Sequence, residues 1–510
     1  MEKEKGNIFI PSVAIVFLLV VWGVVSPATF AVAAKESFRF LTHNLGWFYQ
    51  LTVNVVTVFI LYIACSRFGK LKLGPEDSQP EFKTFSWLGM LFSSALGIGI
   101  CFFGAAEPAT YFIKPSLGAD PGSLQAARDA IMIYGLHKGP ALWCTYLIMG
   151  IGIGYFQQRH NCKGLVSSIF LPILGEEKVN GPIGKFIDIL VIFASAAGIS
   201  TSLGMAALQF NSGLNYVFGL PNEVFAQIVI ILAFVLVYGG TAVFGVKSGI
   251  KFISDVNSYL CFFIMGALFL LGPTLKIIGT FMTVAGDLVN NYPSLVLAVK
   301  PFDAAYTKWL GSWSQFYWAW DITWAPFVGS FYARISRGRT IRQTVFGVLS
   351  APMICSMIWG CVFGSCVFEL ELIKGISICP AILKDTSVGV FELLMNYPFI
   401  TNLPIGLVLS FVMTILLSTF FITSANSGTY VLAMYTSKGD QNPPKVRIAT
   451  WAILIGLLAI VLLVAGGLKS LQTISFVAAP PVAVILILSC YSLYKAMVQE
   501  EKEGKLVFKK

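Results

Sequence analysis

Two oppositely charged residues, Lys138 and Asp321, lie in segments that are otherwise apolar. Lys138 stands in LHKGPALWCTYL, residues 136–147, and Asp321 in FYWAWDITWAPF, residues 316–327. Because a lone charge at mid-membrane costs ~2.5–3.5 kcal/mol on insertion scales, each is expected to have a partner. Two interpretations stay open. The pair forms a permanent ion pair, or a ligand bridges it, with a carboxylate at Lys138 and an ammonium at Asp321.

Aromatic residues flank both charges at helical spacing. Trp320 and Trp324 are one turn apart, and Trp143 and Tyr146 are three residues apart, so each pair shares a helix face. Aromatic faces attract alkylated ammonium groups. Such a stripe is also typical of helix packing or of an interfacial aromatic belt, so by itself it does not define a binding site.

A third candidate site consists of hydroxyl groups in the segment TFFITSANS, residues 419–427. Thr423, Ser424 and Ser427 concentrate oxygen atoms in an apolar span. Hydroxyls and unwound backbone carbonyls suit a small monovalent cation, and the glycine-rich segment SSALGIGICFFGAAEP, residues 93–108, would complete the site. The alternative is that these side chains bond to their own helix.

The composition indicates an all-α integral membrane protein. Of 510 residues, 56% are hydrophobic and only 12% charged, far from the average of soluble domains. Apolar stretches of about 20 residues, enough to cross a bilayer as helices, recur along the chain. Twelve spans are predicted, at residues 8–30, 46–66, 86–113, 137–157, 184–211, 223–244, 252–281, 309–333, 343–368, 404–436, 448–466 and 472–495.

The distribution of basic residues predicts the orientation. Most of the 35 Lys and Arg residues fall in the two tails and in alternate loops, which places both termini in the cytoplasm. The net charge of +10 therefore reflects orientation, and no nucleic-acid partner is expected. The spans contain no nucleophile and base pair and no metal-ligand set, so an enzyme is not expected. They also offer few polar faces, which disfavours a channel.

The order of the spans predicts an inverted repeat. The third and eighth spans, which are rich in glycine or contain proline, are expected to be interrupted, and each opens a block of five helices. Because their positions differ by an odd number, the two blocks enter the membrane from opposite sides, as in transporters with a site near the midplane. The predicted units are a tail with two extra helices (1–85), a first repeat (86–285), an exterior interfacial region (286–308), a second repeat (309–495) and a cytoplasmic tail (496–510).

Four stretches resemble the betaine/choline/carnitine transporter (BCCT) family, and the resemblance extends over nearly the whole chain. It implies a LeuT-like fold of two inverted five-helix repeats after two extra helices, a homotrimer in a bacterial cell membrane, and an interfacial helix near 286–299 between protomers. The stretches are PEFKTFSW, ALGIGICFFGAAEP, LGSWSQFYWAWDITWAPFVGSFYARISRGRTIRQ and TFFITSANS.

The resemblance also implies positions for a substrate site. The aromatic box of the family's betaine symporters falls at Lys138, Trp143, Tyr146 and Asp321, where the family usually has Trp in place of Lys138 and Asp321. Trp320 and Trp324 keep the flanking tryptophans.

The resemblance places one sodium site at the backbone of Ser93 and Leu96 and at Phe420, Thr423 and Ser424. The threonines of the other sodium site correspond to Ser195 and Ile199, and Ile199 has no oxygen to offer. Sodium-independent exchangers of the family carry arginine at the place of Asn257, so Asn257 indicates a need for a real ion.

Together these features predict a secondary active transporter of a small quaternary-ammonium or related zwitterion, coupled to sodium. Substrate/product exchange without sodium is one alternative. The other is a less methylated substrate such as sarcosine or glycine, because a carboxylate accepts strongly from N–H donors that a trimethylammonium lacks. Glu107 and His137 lie near span ends, where Glu107 is expected to cap or brace its helix and His137 either to relay a proton or to bond structurally.

Overall fold

The computed structural model describes residues 8–95, 97–245, 247–399 and 403–503, and this part of the chain is built from helices. Within these described ranges, eight helices are long and apolar enough to cross a membrane, or nine if the bent pair at the start counts as one span. The described helices are α1 Phe9–Val25, α2 Pro27–Asn44, α3 Gly46–Cys65, α4 Thr84–Ala95, α5 Ile98–Phe103, α6 Ala106–Ile113, α7 Leu124–His137, α8 Pro140–Gly154, α9 Leu171–Asn180, α10 Pro182–Phe218, α11 Val224–Phe244, α12 Lys247–Leu271, α13 Thr274–Val296, α14 Ala304–Ser312, α15 Ser314–Ile335, α16 Ile341–Phe368, α17 Cys379–Lys384, α18 Gly389–Asn396, α19 Ile405–Thr436 and α20 Lys445–Lys502.

The outer helices present apolar faces to the surroundings. On α11, Phe225, Val229, Leu232 and Leu236 are exposed at intervals of three to four residues, which places them on one face. A continuous exposed apolar stripe of this kind marks an interaction surface, and on a helix long enough to span a bilayer the matching environment is lipid. The prediction of an all-α integral membrane protein is confirmed by this architecture.

The third predicted span is broken as expected. Helix α4 ends at Ala95, Gly97 has an extended backbone, and α5 begins at Ile98. A second break precedes α6, which starts at Ala106 and carries Glu107 in its first turn. The break brings the backbone at Gly99 so close to Trp320 that an added Cβ would lie 3.0 Å from the indole ring.

The eighth predicted span, 309–333, is interrupted at Trp313, which separates α14 from α15, and not at its proline. Helix α15 runs from Ser314 to Ile335 with Pro326 inside it. Proline removes one backbone donor and normally bends a helix. Here the hydroxyl of Tyr435 on α19 donates to the Pro326 carbonyl at 2.8 Å and lies 2.5 Å from the Ser330 hydroxyl, so the proline turn is held by a neighbouring helix.

Several helices have other boundaries than those predicted, because a glycine or a proline ends a helix earlier than expected. The span predicted at 252–281 ends at Leu271, since Gly272 and Pro273 separate it from α13. Helix α13 therefore begins before the predicted interfacial region and crosses the boundary placed at residue 285. The last two predicted spans, 448–466 and 472–495, lie in two helical segments of α20 that are separated by the non-helical Gly466 and Gly467, in agreement with the predicted boundary.

Three loops that were predicted to be cytoplasmic lie together near the end of α20. Glu500, near the end of α20, accepts hydrogen bonds from Tyr155 at 2.5 Å and from Arg159 at 2.7 and 2.8 Å. Arg159 also pairs with Glu76, and an antiparallel bridge joins Lys72 to Thr340. These contacts tie three predicted loops to the C-terminal helix, as expected if all of them share one face of the membrane.

Helices α8 and α15 cross with almost no side chain between them. A Cβ added to Gly329 would lie 2.4 Å from Cβ of Met149 and 2.8 Å from the backbone nitrogen of Gly150. A Cβ on Gly150 would lie 2.9 Å from Cβ of Tyr332. Small residues allow such close approach in membrane proteins, where packing is the main attraction between helices. The crossing fixes the relative position of the two helices that carry Asp321 and the residues after Lys138.

We predict that Gly329→Ala lowers the melting temperature of the detergent-solubilised protein, because one extra methyl group at this crossing costs ~1–3 kcal/mol by overpacking. Thermal unfolding followed by intrinsic fluorescence measures the change. Gly279→Ala on α13 is the matched control, since no atom lies within 4 Å of its added Cβ, and it should leave the melting temperature unchanged or slightly raised. Equal effects of the two substitutions would contradict the proposed close crossing.

Candidate substrate-binding site

A cavity of ≈ 70 Å³ lies at the break between α4 and α5, against α8 and α15. Four of its lining residues come from the broken segment and the others from the α7–α8 junction, α8, α15 and α16. The lining residues are Gly97, Ile98, Gly99, Ile100, Lys138, Leu142, Trp143, Tyr146, Tyr317, Trp320, Asp321, Trp324, Val328 and Ser356. All six residues predicted to bind substrate are in this set, so the structure brings Lys138, Trp143, Tyr146, Trp320, Asp321 and Trp324 to one cavity.

Lys138 is positioned by the break between α7 and α8. It is the C-cap residue of α7, where the negative end of the helix dipole favours a positive charge, and Pro140 starts α8 two residues later. The indole nitrogen of Trp143 donates to the Lys138 carbonyl at 2.9 Å, which fixes the junction. The ammonium group lies over the ring of Tyr317, 4.0 Å from its centre, and 5.6 Å from the centre of the Tyr134 ring.

Asp321 is buried on α15 and only half satisfied. The hydroxyl of Tyr146 donates to Oδ1 at 3.3 Å, whereas Oδ2 is buried with no hydrogen-bond partner in the described part of the chain. Lys138 and Asp321 are both described, and they do not form an ion pair within 4.0 Å. The cavity therefore holds a cation that rests on an aromatic ring and a carboxylate with a free oxygen.

Aromatic rings enclose the space near these charges. The rings of Trp320 and Trp324 are 6.4 Å apart and nearly perpendicular, at 83°. Across the cavity, Trp143 and Tyr146 form a similar pair at 6.1 Å and 86°. Phe316 stacks on Trp320 at 5.5 Å and limits its movement. Such an arrangement offers ring faces to an alkylated ammonium group.

A buried polar cluster lies directly behind the Lys138 side of the cavity. Glu107 is fully buried and accepts hydrogen bonds from the hydroxyls of Tyr111 at 2.9 Å and Tyr317 at 2.7 Å. Its other contact is Nδ1 of His137 at 2.5 Å, and His137 Nε2 lies 2.8 Å from the Ser314 hydroxyl. Glu107 thus braces three helices, α6, α7 and α15, and fixes the Tyr317 ring that lies under Lys138.

The residues predicted to bind sodium are only partly described. Leu96 lies outside the described residues, as does the side chain of Ser93. On α19, the Thr423 hydroxyl donates to its own helix, at 2.9 Å to the Phe420 carbonyl, and accepts from the Asn257 amide at 3.3 Å. The structure therefore realises the alternative in which Thr423 bonds to its own helix, while a lone pair of its oxygen stays available.

Ser424 faces a second, small cavity of ≈ 10 Å³ together with Ile98, Ile199, Ser202 and Trp324. This is about the volume that one water molecule needs. Nearby, Oδ1 of Asn257 is buried without a hydrogen-bond partner in the described residues. Hydroxyl and amide oxygens are ligands that a hard monovalent cation accepts, so the residues present are chemically suitable for sodium.

Tyr317 is the principal site residue that the sequence analysis missed. It is one turn before Asp321 on α15, so both residues share a helix face. That spacing was visible in the sequence. Its importance was not, because the ring contact with Lys138 depends on how α7 and α15 meet.

The site geometry and the similarity to known proteins identify the class and the family of this protein. Broken helices around a buried cavity that is lined by aromatic and charged side chains define the protein as a membrane transporter. A family model described as "BCCT, betaine/carnitine/choline family transporter" matches residues 7–502. The chain belongs to this family.

Curated relatives are similar over most of this chain. The glycine betaine transporter OpuD of Bacillus subtilis is 39% identical over 505 residues, which cover 99% of this chain and 97% of that protein. The ectoine/hydroxyectoine transporter of Virgibacillus pantothenticus is 39% identical over 508 residues, covering 99% of both chains. The osmo-dependent choline transporter BetT2 of Acinetobacter baylyi is 34% identical over 473 residues, covering 92% of this chain and 68% of the relative. The chain is therefore a transporter and not an enzyme.

Proposed function

We propose that the protein is a secondary active transporter that moves a small zwitterion by alternating access, with the carboxylate of the substrate at Lys138 and its ammonium group at Asp321. One observation carries the proposal. Both charged groups face one cavity, yet they do not pair, and Asp321 Oδ2 has no partner among the described residues. A bridging ligand supplies the missing partner to each group, so this observation favours the bridging interpretation over a permanent ion pair.

The chemistry of the cavity favours a substrate with at least one N–H bond. A free carboxylate oxygen gains ~1.5–3 kcal/mol from a hydrogen bond to a charged donor, which a trimethylammonium group cannot give. The rings of Trp320, Trp324, Trp143 and Tyr146 still attract methyl groups on the same nitrogen. The similar proteins are named as transporters of glycine betaine, choline or ectoine, and these compounds define the range of substrates considered for this protein. Within that range, a partly methylated or N–H-bearing zwitterion such as sarcosine fits best.

We further propose coupling to sodium at the α19 site. The support is chemical: Ser424 offers a hydroxyl oxygen to the small cavity, its neighbour Thr423 bonds to Asn257, and no arginine side chain fills the place of Asn257. The site adjoins the substrate cavity, since Ile98 and Trp324 line both. Sodium bound there would hold the broken α5 segment against α19 and thereby favour substrate binding, which is the reciprocal linkage that coupling requires.

The same proposal places the protein in a bacterial plasma membrane with both termini in the cytoplasm, as a homotrimer. The excess of basic residues on the side of the two tails supports the orientation. Support for the trimer comes from α13, where the side chains of Leu275, Ile278, Met282 and Val289 are exposed along one face. An exposed apolar face on an exterior helix fits a protomer contact or the bilayer interface.

Asp321→Asn should reduce uptake of sarcosine at least about tenfold and uptake of glycine betaine much less, because only sarcosine loses a charge-assisted hydrogen bond worth ~1.5–3 kcal/mol. The measurement is uptake into proteoliposomes of labelled sarcosine, glycine, glycine betaine, ectoine, choline and carnitine, each with and without a sodium gradient. Asp77→Asn, at an exposed position, is the control and should leave the order of substrates unchanged. An identical substrate order in wild type and Asp321→Asn would refute the role of Asp321. Uptake that needs internal substrate and ignores sodium would identify an exchanger.

Thr423→Val should raise the sodium concentration for half-maximal uptake about tenfold or more, the change expected when a ligand worth roughly 1.4 kcal/mol is lost. Thr419→Val is the matched control. Thr419 lies one turn earlier on α19 and also bonds to its own helix, at 2.8 Å to the Ile415 carbonyl. Both variants keep the shape of the side chain, so a difference between them reports the hydroxyl. Equal sodium dependence in the two variants would place the ion elsewhere.

A further inference from the structure

We propose that the His137–Glu107 pair is a proton-binding site, and that a proton bound there strengthens binding of the zwitterion. The proton site itself stands on the geometry of the pair, whereas its link to substrate rests on the proposed function. His137 and Glu107 are both fully buried, and their contact of 2.5 Å links α7 to α6 directly behind the substrate cavity.

The hydrogen-bond partners indicate the protonation state of His137 and Glu107 before an additional proton binds. Glu107 accepts from Tyr111 and Tyr317, and the short contact with His137 Nδ1 places an imidazole hydrogen toward the carboxylate. A neutral imidazole with its hydrogen on Nδ1 has an acceptor at Nε2. Ser314, at 2.8 Å from Nε2, then donates its hydroxyl hydrogen to this atom.

The same contacts accommodate an additional proton without loss. When Nε2 is protonated it becomes a donor, and the Ser314 hydroxyl rotates to accept, because a hydroxyl can serve in either role. No contact in the cluster breaks, and the imidazolium lies against the Glu107 carboxylate. A purely structural cluster needs complete hydrogen bonding in only one protonation state of His137, whereas this cluster keeps its contacts in both.

The surrounding charges favour the extra proton. When His137 is neutral and Glu107, Lys138 and Asp321 are all ionised, these buried groups carry one net negative charge, which is costly in a low-dielectric environment. The titratable groups on the helices packed against the pair are phenols, thiols and charged side chains, of which Asp287, Asp385 and Glu392 have hydrogen-bond partners outside the pair. Those groups are Tyr111 on α6, Tyr134 on α7, Tyr317 on α15, Cys101 on α5, Cys361 on α16, Cys379 and Lys384 on α17, Tyr292 and Asp287 on α13 (Asp287 with Arg128), Asp385 with Ser387, and Glu392 on α18 with Tyr216.

Tyr317 connects the proton site to the substrate cavity. Its hydroxyl donates to Glu107 at 2.7 Å, while its ring lies under the Lys138 ammonium at 4.0 Å. Lys138 interacts electrostatically with both Glu107 and Asp321. Protonation of His137 offsets the charge of Glu107, so the attraction of Lys138 to Glu107 weakens and its ammonium becomes a better partner for a substrate carboxylate. Proton and zwitterion therefore bind with positive linkage, and each raises the affinity for the other.

The proton site is tested by the titration of the histidine ring signals. The chain has three histidines, His43, His137 and His160, so protein labelled with carbon-13 at the histidine ring gives a simple spectrum, in which His137→Gln identifies one signal. We expect this signal to move with pH, and to do so at lower pH in Glu107→Gln and in Ser314→Ala than in the wild type. A signal that does not change with pH, or that titrates in both variants as it does in the wild type, would overturn the proposal.

The link to substrate is tested by equilibrium binding of labelled sarcosine and glycine betaine, whose charges do not change between pH 6 and 8. Wild-type protein should bind both at least about threefold more tightly at pH 6 than at pH 8, a linkage of roughly 0.7 kcal/mol. This pH dependence should vanish in His137→Gln and persist in the exposed control His43→Gln. Binding with the same pH dependence in His137→Gln would overturn the linkage. Failure of the wild type to bind either compound would instead contradict the proposed function, and the histidine titration would still decide the proton site.

Discussion

The site depends on keeping two opposite charges close but unpaired in a low-dielectric interior. Lys138 and Asp321 line one cavity, and their direct contact would satisfy both without any ligand. The structure opposes that contact on both sides. The Lys138 ammonium rests on the Tyr317 ring, and Tyr146 holds one oxygen of Asp321. A cation over an aromatic face gains ~2 kcal/mol or more when desolvated, less than a well-made ion pair or carboxylate contact. A ligand that carries both a carboxylate and an ammonium group therefore gains binding energy from Lys138 and from Asp321.

The fold provides this arrangement through breaks in helices and one close crossing. Lys138 reaches the cavity because α7 ends there, and α5 exposes backbone there because Gly97 breaks the third span. The glycine contact between α8 and α15 then sets the distance between the two walls. Glu107 bonds to residues of α7 and α15, so the orientation of Tyr317 depends on a residue that does not line the cavity. Changes at Glu107 should consequently alter ligand binding without any loss of direct contact.

Much of the organisation was predictable because the bilayer imposes simple rules on composition. Runs of apolar residues located most spans, and helical spacing placed Trp320, Asp321 and Trp324 near one another. The common cavity of Lys138 and Asp321 was expected from the unusual cost of each charge and from the family resemblance. The break in the third span followed from its glycines. These features are local, or follow from the cost of a single residue in an apolar phase.

What could not be predicted depends on contacts between distant segments. The eighth span is interrupted at Trp313 and continues through Pro326, whose carbonyl accepts from Tyr435 of α19. Helix α7 lies before the predicted fourth span, because Lys138 and Gly139 end it and a hydropathy pattern does not register such a short break. The roles of Tyr317 and His137 depend on the meeting of α6, α7 and α15. No local pattern reports which helices meet.

A zwitterion that bridges Lys138 and Asp321 can be observed directly. The most direct measurement is an electron cryomicroscopy structure of the protein in lipid nanodiscs with saturating sarcosine, compared with one determined without it. We expect ligand density between the two residues. The carboxylate of the ligand should lie within hydrogen-bond distance of the Lys138 ammonium, and its nitrogen within hydrogen-bond distance of Asp321. A direct Lys138–Asp321 ion pair in both structures, with the ligand bound elsewhere, would contradict it.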